Sequence, residues 1–143
     1  SDEDFRKEDR RTCVKVGDVL LTIVGTIGRT CVIKDNKSNL TFQRSVAILK
    51  PKHSTNSYYI MYCLQKYKDI LNCFAAGGAQ KGIYLKQLEN LVIPIPDSPA
   101  EQQKIADCLS ELDSLIAAET AQLESLKDHK KGLMQQLFPQ LDK

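Results

Sequence analysis

Tryptophan is absent from this chain, histidine occurs only twice, and no two of the five cysteines are spaced as C-x-x-C. Each shortage excludes something. The cysteines form no C-x-x-C pair and His53 and His129 belong to no recognisable zinc-ligand motif, so no zinc site is expected. His53 is expected in a loop and His129 far along an acidic helix, so neither has the base-and-orienter company that catalysis needs. Cys13, Cys31, Cys63, Cys73 and Cys108 are odd in number, which argues for reduced thiols in a cytosolic protein and against a disulfide framework. Cys63 and Cys73 fall on an expected helix and read as packing residues. No apolar run approaches the ~20 residues of a membrane span. The start, Ser1 to Arg11, is dominated by charge and has no signal-peptide pattern. There is no internal repeat, no G-K-[ST] nucleotide loop and no glycine-rich S-adenosylmethionine signature, so no cofactor is expected.

What the chain has is an uneven charge. Residues 1–99 hold 15 Lys+Arg against 10 Asp+Glu, a balance of +5, and residues 100–143 hold 5 against 8, a balance of −3. A basic first part and an acidic last part direct any polyanionic partner to the first part. An ordinary solvated surface gives much the same count.

The first part reads as small α+β structure. Val16-Gly17-Asp18 is a turn feeding a strand, Val19 to Val24, whose unbroken β-branched and apolar run suits burial on both faces. Gly25-Thr26-Ile27-Gly28-Arg29 breaks it with two glycines three apart. Further strands are expected at Thr30 to Lys34, Ser45 to Leu49 and Leu91 to Ile95, the last marked by Pro94 and Pro96 as an edge or exit segment. A helix over Thr55 to Phe74 presents a broad apolar face of the kind that covers a sheet. A glycine-rich loop, Ala75 to Gly82, follows, then one helical turn at Leu85 to Leu88. The expected fold is a small mixed β-sheet with one packed helix, followed by a long C-terminal coiled-coil helix.

That last helix carries the clearest local signals. Ser98-Pro99-Ala100-Glu101 is a capping box with proline at the first helical position. Pro139 forbids continuation beyond about Phe138, so about forty residues give a helix of roughly 60 Å. Along it run two seven-residue ladders. Ile105, Leu112, Glu119, Leu126 and Leu133 form one; Leu109, Ile116, Leu123, Lys130 and Leu137 form the other. Set as d and a positions they make a narrow seam, which suits a partner helix better than the side of a globular core. A helix of that length cannot be covered by a body of about 100 residues, so much of the seam is expected to seek a partner. Glu119 and Lys130 interrupt it. They either fix register against a facing helix or snorkel to water from loosened heptads.

Several segments together resemble a known family. They are Gly17-Asp18-Val19-Leu20-Leu21, Val24-Gly25-Thr26-Ile27-Gly28-Arg29, Gln43-Arg44-Ser45-Val46-Ala47-Ile48-Leu49, Gly77-Gly78-Ala79-Gln80-Lys81, and Ile93-Pro94-Ile95-Pro96 running into Glu101-Gln102-Gln103-Lys104-Ile105. In this order and spacing, from about Val16 to Pro139, they are similar to the specificity subunit of type I restriction–modification enzymes. The resemblance implies a partial target-recognition domain over residues 1–97 and a spacer helix over 98–139. It implies a non-catalytic DNA-reading role for one half of a split sequence. The implied partners are double-stranded DNA, methyltransferase subunits, and a second copy of the chain or a second half-subunit across the helix. The family pattern has two recognition domains and two antiparallel helices. This chain has one of each and little before Val19, as expected of either a fragment or a shortened half-subunit.

Sequence-specific DNA binding needs phosphate contacts for position and side chains at base edges for discrimination. Arginine forks onto guanine and glutamine onto adenine. Three candidate segments hold such residues: Thr26 and Arg29 in the two-glycine loop, Gln43 and Arg44 before a strand, and Gln80 and Lys81 in the glycine-rich loop, the last pair favoured by the resemblance. Each also has a plain reading. The first is a hairpin turn with a solvated arginine, the second is polar surface, and the third is a flexible helix exit with Gly77 at C′. Two other function classes stay open on the sequence alone: a pure coiled-coil assembly module that does not touch DNA, and a small enzyme.

Overall fold

The computed structural model describes residues 14–35, 45–75 and 82–138. Three strands, β1 (Val19–Thr22), β2 (Thr30–Val32) and β3 (Val46–Leu49), form a sheet in the order β2-β1-β3. Both pairings are antiparallel, with Leu20 opposite Cys31 on one side and Ile48 on the other. The α+β class stands; the sheet, expected to be mixed, is antiparallel throughout its described strands. Central β1 has the burial its sequence implies. Val19 and Leu21 are fully covered, and Leu20, on the opposite face, is 7% exposed. The β1 ladder ends at Thr22, two residues short of the expected strand end, because Ile23 and Val24 pair elsewhere.

Helices α1 (Ser57–Lys66) and α2 (Lys68–Ala75) replace the single helix expected over Thr55 to Phe74. The break falls at Tyr67, with φ −90° and ψ 18° and its N–H shared between the carbonyls of Cys63 and Gln65. Such sharing tightens the last turn. Tyr59, Ile60, Met61 and Leu64 of α1 and Leu71 and Ala75 of α2 join Val19, Leu21, Ile23 and Ala47 of the sheet in one core. Ile70, which a continuous helix over Thr55 to Phe74 would carry on its apolar face, is 43% exposed. Of the two cysteines read as packing residues, Cys63 is half-buried and Cys73 is exposed. The Cys73 expectation followed the face of a continuous helix, which the break disrupts.

Short α3 (Leu85–Glu89) lies where one helical turn was expected. The segment 91–95 is not a strand. Pro94 and Pro96 carry no N–H for a ladder, and their carbonyls are taken by side chains: Tyr59 Oη donates to Pro94 O at 2.8 Å and Gln102 Nε2 to Pro96 O at 2.8 Å.

The last helix, α4 (Pro99–Leu137), has 39 residues and starts and stops where the sequence signals lie. Glu101 N–H reaches Ser98 Oγ at 3.4 Å and Ser98 O at 3.1 Å. By internal contacts the chain divides into two units, Ser1–Ala106 and Asp107–Lys143, so the first two turns of α4 belong to the first unit. In the second unit Leu112, Ile116, Leu123, Leu126, Leu133 and Leu137 are between 41% and 73% exposed. No helix among the described residues is long and apolar enough to cross a membrane.

Candidate nucleic-acid interface

The two-glycine turn after β1 is a closed structure built around Thr22. Gly25 and Gly28 take φ of 77° and 84°, where a side chain is strained. Thr22 N–H donates to Arg29 O at 2.9 Å, and Gly28 N–H donates to Thr22 O at 3.0 Å. The Thr22 hydroxyl donates to Thr26 O and accepts from Arg29 N–H at 3.0 Å. One threonine thus bonds to three residues of the turn. Ile27 plugs the turn into the core at 8% exposure, which leaves Thr26 and Arg29 exposed at the surface.

Beyond Thr22, β1 becomes a meeting point. Ile23 N–H donates to Ser45 O at 2.8 Å, and Ile83 N–H donates to Ile23 O at 2.8 Å. Val24 forms an antiparallel bridge with Gly82. The approach is close: a Cβ on Gly82 would lie 3.2 Å from Val24 Cγ2 and 3.4 Å from Ile23 O, so Val24 would have to shift by a few tenths of an ångström to admit one. Gln43, Arg44, Gln80 and Lys81 lie outside the described residues. Their nearest described neighbours, Ser45 and Gly82, are tied to the same two residues from which the Gly25–Arg29 turn springs. Gln87 ties together the described residues before and after the glycine-rich segment: its Oε1 accepts Tyr84 N–H at 2.9 Å and its Nε2 donates to Phe74 O at 3.1 Å.

Two residues that sequence reasoning missed stand beside the turn. Lys68, first in α2, packs its side chain on Gly28. Gln65, near the end of α1, donates to Thr30 Oγ1 at 3.1 Å. No periodicity or motif marks them, because their partners lie about 35 to 40 residues away in sequence.

The opposite end of β1 is structural. Gly17 (φ 92°) donates its N–H to Ile33 O, just beyond β2, at 2.9 Å, and its carbonyl accepts from Ser57 Oγ–H at 2.6 Å. Asp18 is 6% exposed; its Oδ2 accepts Lys15 N–H at 2.9 Å and faces Lys50 Nζ at 3.8 Å. Held this way, Asp18 is a brace for the strand entry. Burial pushes the Cys63 thiol up from its ordinary value, which keeps it protonated and a weak nucleophile. No group of three or more His, Cys, Asp and Glu among the described residues is arranged to hold a metal ion.

The start of α4 is fastened to the head by the glutamines of the Glu101-Gln102-Gln103 run. Gln102 is 2% exposed. Its Oε1 accepts Asn56 N–H at 2.8 Å, and its Nε2 donates to Pro96 O at 2.8 Å and, more weakly, to Ser54 O at 3.4 Å. Asn56 caps α1 by accepting Tyr59 N–H at 3.0 Å, and its Nδ2 donates to Gln103 Oε1 at 2.6 Å. One asparagine therefore joins the first turn of α1 to the first turn of α4, and Ala106, 1% exposed, completes the contact.

In this small α+β head the Gly25–Arg29 turn, Ser45 and Gly82 meet at one strand end, and the first turns of a long helix are bonded into it. A family model described as the type I restriction modification DNA specificity domain matches residues 3–128, and the chain belongs to that family. It is 34% identical over 145 residues to the putative type I restriction enzyme MjaX specificity subunit of Methanocaldococcus jannaschii, covering 95% of this chain and 34% of that protein. It is 30% identical over 114 residues to the EcoBI specificity subunit of Escherichia coli, covering 72% of this chain and 22% of that one. The chain thus spans about a third or less of these relatives. Among solved structures, a chain of a type I R-M system studied for its complex assembly and conformational transition superposes with a TM-score of 0.67 at 27% identity, covering 82% of this chain and 28% of that one. The HsdS subunit from Thermoanaerobacter tengcongensis gives 0.57 at 29%, covering 73% and 24%. The absence of catalytic machinery read from the sequence agrees with relatives named as specificity subunits.

Proposed function

We propose that the chain reads one half of a bipartite DNA target for a type I restriction–modification complex. Residues 1–97 are the reader and residues 98–139 the spacer. The meeting of Ser45 and Gly82, which adjoin two of the candidate segments in sequence, at Ile23 and Val24, where the Gly25–Arg29 turn begins, carries this reading. Thr26 and Arg29 leave the end of β1 directly, and Ser45 and Gly82, next in sequence to Arg44 and Lys81, are bonded beside it. Arginine and glutamine address guanine and adenine edges, and lysine addresses phosphates. Gln102 and Asn56 support the division of labour, because they fix the helix start to the reader through bonds from an almost fully buried side chain.

The exposed seam of α4 has two tasks in this reading. It pairs with the helix of a second copy or of a second half-subunit, setting the spacing between two readers, and it offers a face to methyltransferase subunits, which supply the chemistry. Exposed leucines and isoleucines at seven-residue spacing support it. The same exposure also fits a pure assembly module that does not touch DNA, and salt dependence separates the two. A reader with about six phosphate contacts loses roughly a thousandfold in duplex affinity between about 50 and 200 mM salt, whereas an assembly module binds at neither.

A further inference from the structure

We propose that Lys68 is a DNA phosphate contact, pre-positioned beside Arg29 by the passage of its side chain across Gly28. The inference rests on the DNA-reading function above. A Cβ on Gly28 would fall 2.8 Å from Lys68 Cγ, 3.5 Å from Cδ and 3.6 Å from Cε. The methylene stem therefore lies along the glycine over three successive carbons. A stem held this way has lost rotamer freedom before any ligand arrives, so less remains to be lost on binding. Lys68 as a whole is exposed, so its ammonium stays hydrated.

The next residue in the turn is Arg29, whose backbone is fixed at both N–H and C=O by Thr22. Gln65 pins the end of α1 to Thr30, and α2 starts two residues beyond α1, so the element bearing Lys68 is fixed against the strand that follows Arg29. Lys68 and Arg29 make no ion pair among the described residues; even Asp69, adjacent in sequence, forms none with Lys68. Two cations without an ion-pair partner among the described residues, one with its stem on Gly28 and the other next to that glycine in sequence, suit the regular negative charge of a duplex backbone. Lysine serves there as a point charge, while the arginine fork remains available to a base edge or a second phosphate. The contact adds affinity without choosing sequence.

The test uses the full chain and a fluorescein-labelled mixed-sequence duplex of about 30 base pairs, with anisotropy read between about 50 and 200 mM NaCl. Lys68→Met removes the charge but keeps the stem on Gly28, Lys68→Gln is a second neutral variant, and Lys68→Arg restores the charge. Both neutral variants should lower the slope of log affinity against log salt by about 0.9, and Lys68→Arg should keep the parent slope. The advantage of the parent over Lys68→Met should accordingly shrink about 3.5-fold across that range. A parent that binds while the neutral variants keep its slope and affinity overturns the Lys68 contact and leaves the DNA-reading function standing. A parent with no binding at the lowest salt overturns both.

Discussion

Replacing Gln102 by leucine removes a side chain that is 2% exposed and holds two well-formed hydrogen bonds, to Asn56 N–H and Pro96 O, each at 2.8 Å. A leucine fills a similar volume, so little of the effect comes from a cavity. The loss arises from the two backbone groups left facing apolar carbon. An orphaned buried donor or acceptor costs about 1–3 kcal/mol, and leucine's extra apolar burial offsets part of that. The net expectation is a loss of about 2–4 kcal/mol. In a domain of about 100 residues each kcal/mol moves the melting temperature by about 4–8 °C, so the midpoint should fall by about 10 °C or more. Gln103→Ala is the control. Gln103 is exposed and gives up a bond to the Asn56 side chain, worth about 0.5–1 kcal/mol. Thermal denaturation followed by circular dichroism, at equal chain concentration because pairing raises the midpoint, measures both. If the two variants melt within a degree or two of each other, the buried glutamine is not what fastens the helix to the head.

Other consequences follow from the same geometry. Thr22→Val keeps the shape but removes the hydroxyl that bonds Thr26 O and Arg29 N–H; it should cost about 1–2 kcal/mol in urea denaturation. Its DNA affinity should drop because the turn no longer fixes Arg29, and unchanged stability would contradict the clamp. Ile116→Asp with Leu123→Asp places two carboxylates in the seam. Light scattering should then give the mass of a single chain where the parent gives a dimer or higher, and an unaltered mass means the seam is not the interface. Cys63, with its thiol pushed up by burial, carries less thiolate than an ordinary cysteine at any pH below its pKa. Iodoacetamide at about pH 8 should modify exposed Cys31, Cys73 and Cys108 well before Cys63, read by mass spectrometry, and early labelling of Cys63 would refute its protected state.

How far the sequence reaches differs by element. Strand β1 was legible because an unbroken apolar run admits little besides a central strand, and α4 because proline, cap and heptad signals agree on both its ends. The α1–α2 break was not, since no glycine or proline stands at Tyr67 and a shared N–H leaves no mark in composition. Leu91 to Ile95 misled because its apolar content outweighed two prolines whose carbonyls are satisfied by Tyr59 and Gln102. At the candidate interface the residue types were visible but not their meeting: the Ile23, Ser45 and Ile83 backbone bonds join segments about 20 to 60 residues apart. Lys68 lay out of reach altogether, because its importance comes from a glycine on another element. Gln102 shows the opposite difficulty. It stands in a recognisable motif, yet a glutamine on a helix reads as surface until its partners are seen.

The central claim is that the Gly25–Arg29 turn and the segments that adjoin Ser45 and Gly82 in sequence choose the DNA sequence. Mapping methylated sites by sequencing tests it most directly, using a complete complex in which this chain carries Arg29→Ala or Gln80→Ala. The account expects each change to alter or relax the half-site that is methylated. Methylation of the same sites as the parent complex by both variants would contradict it.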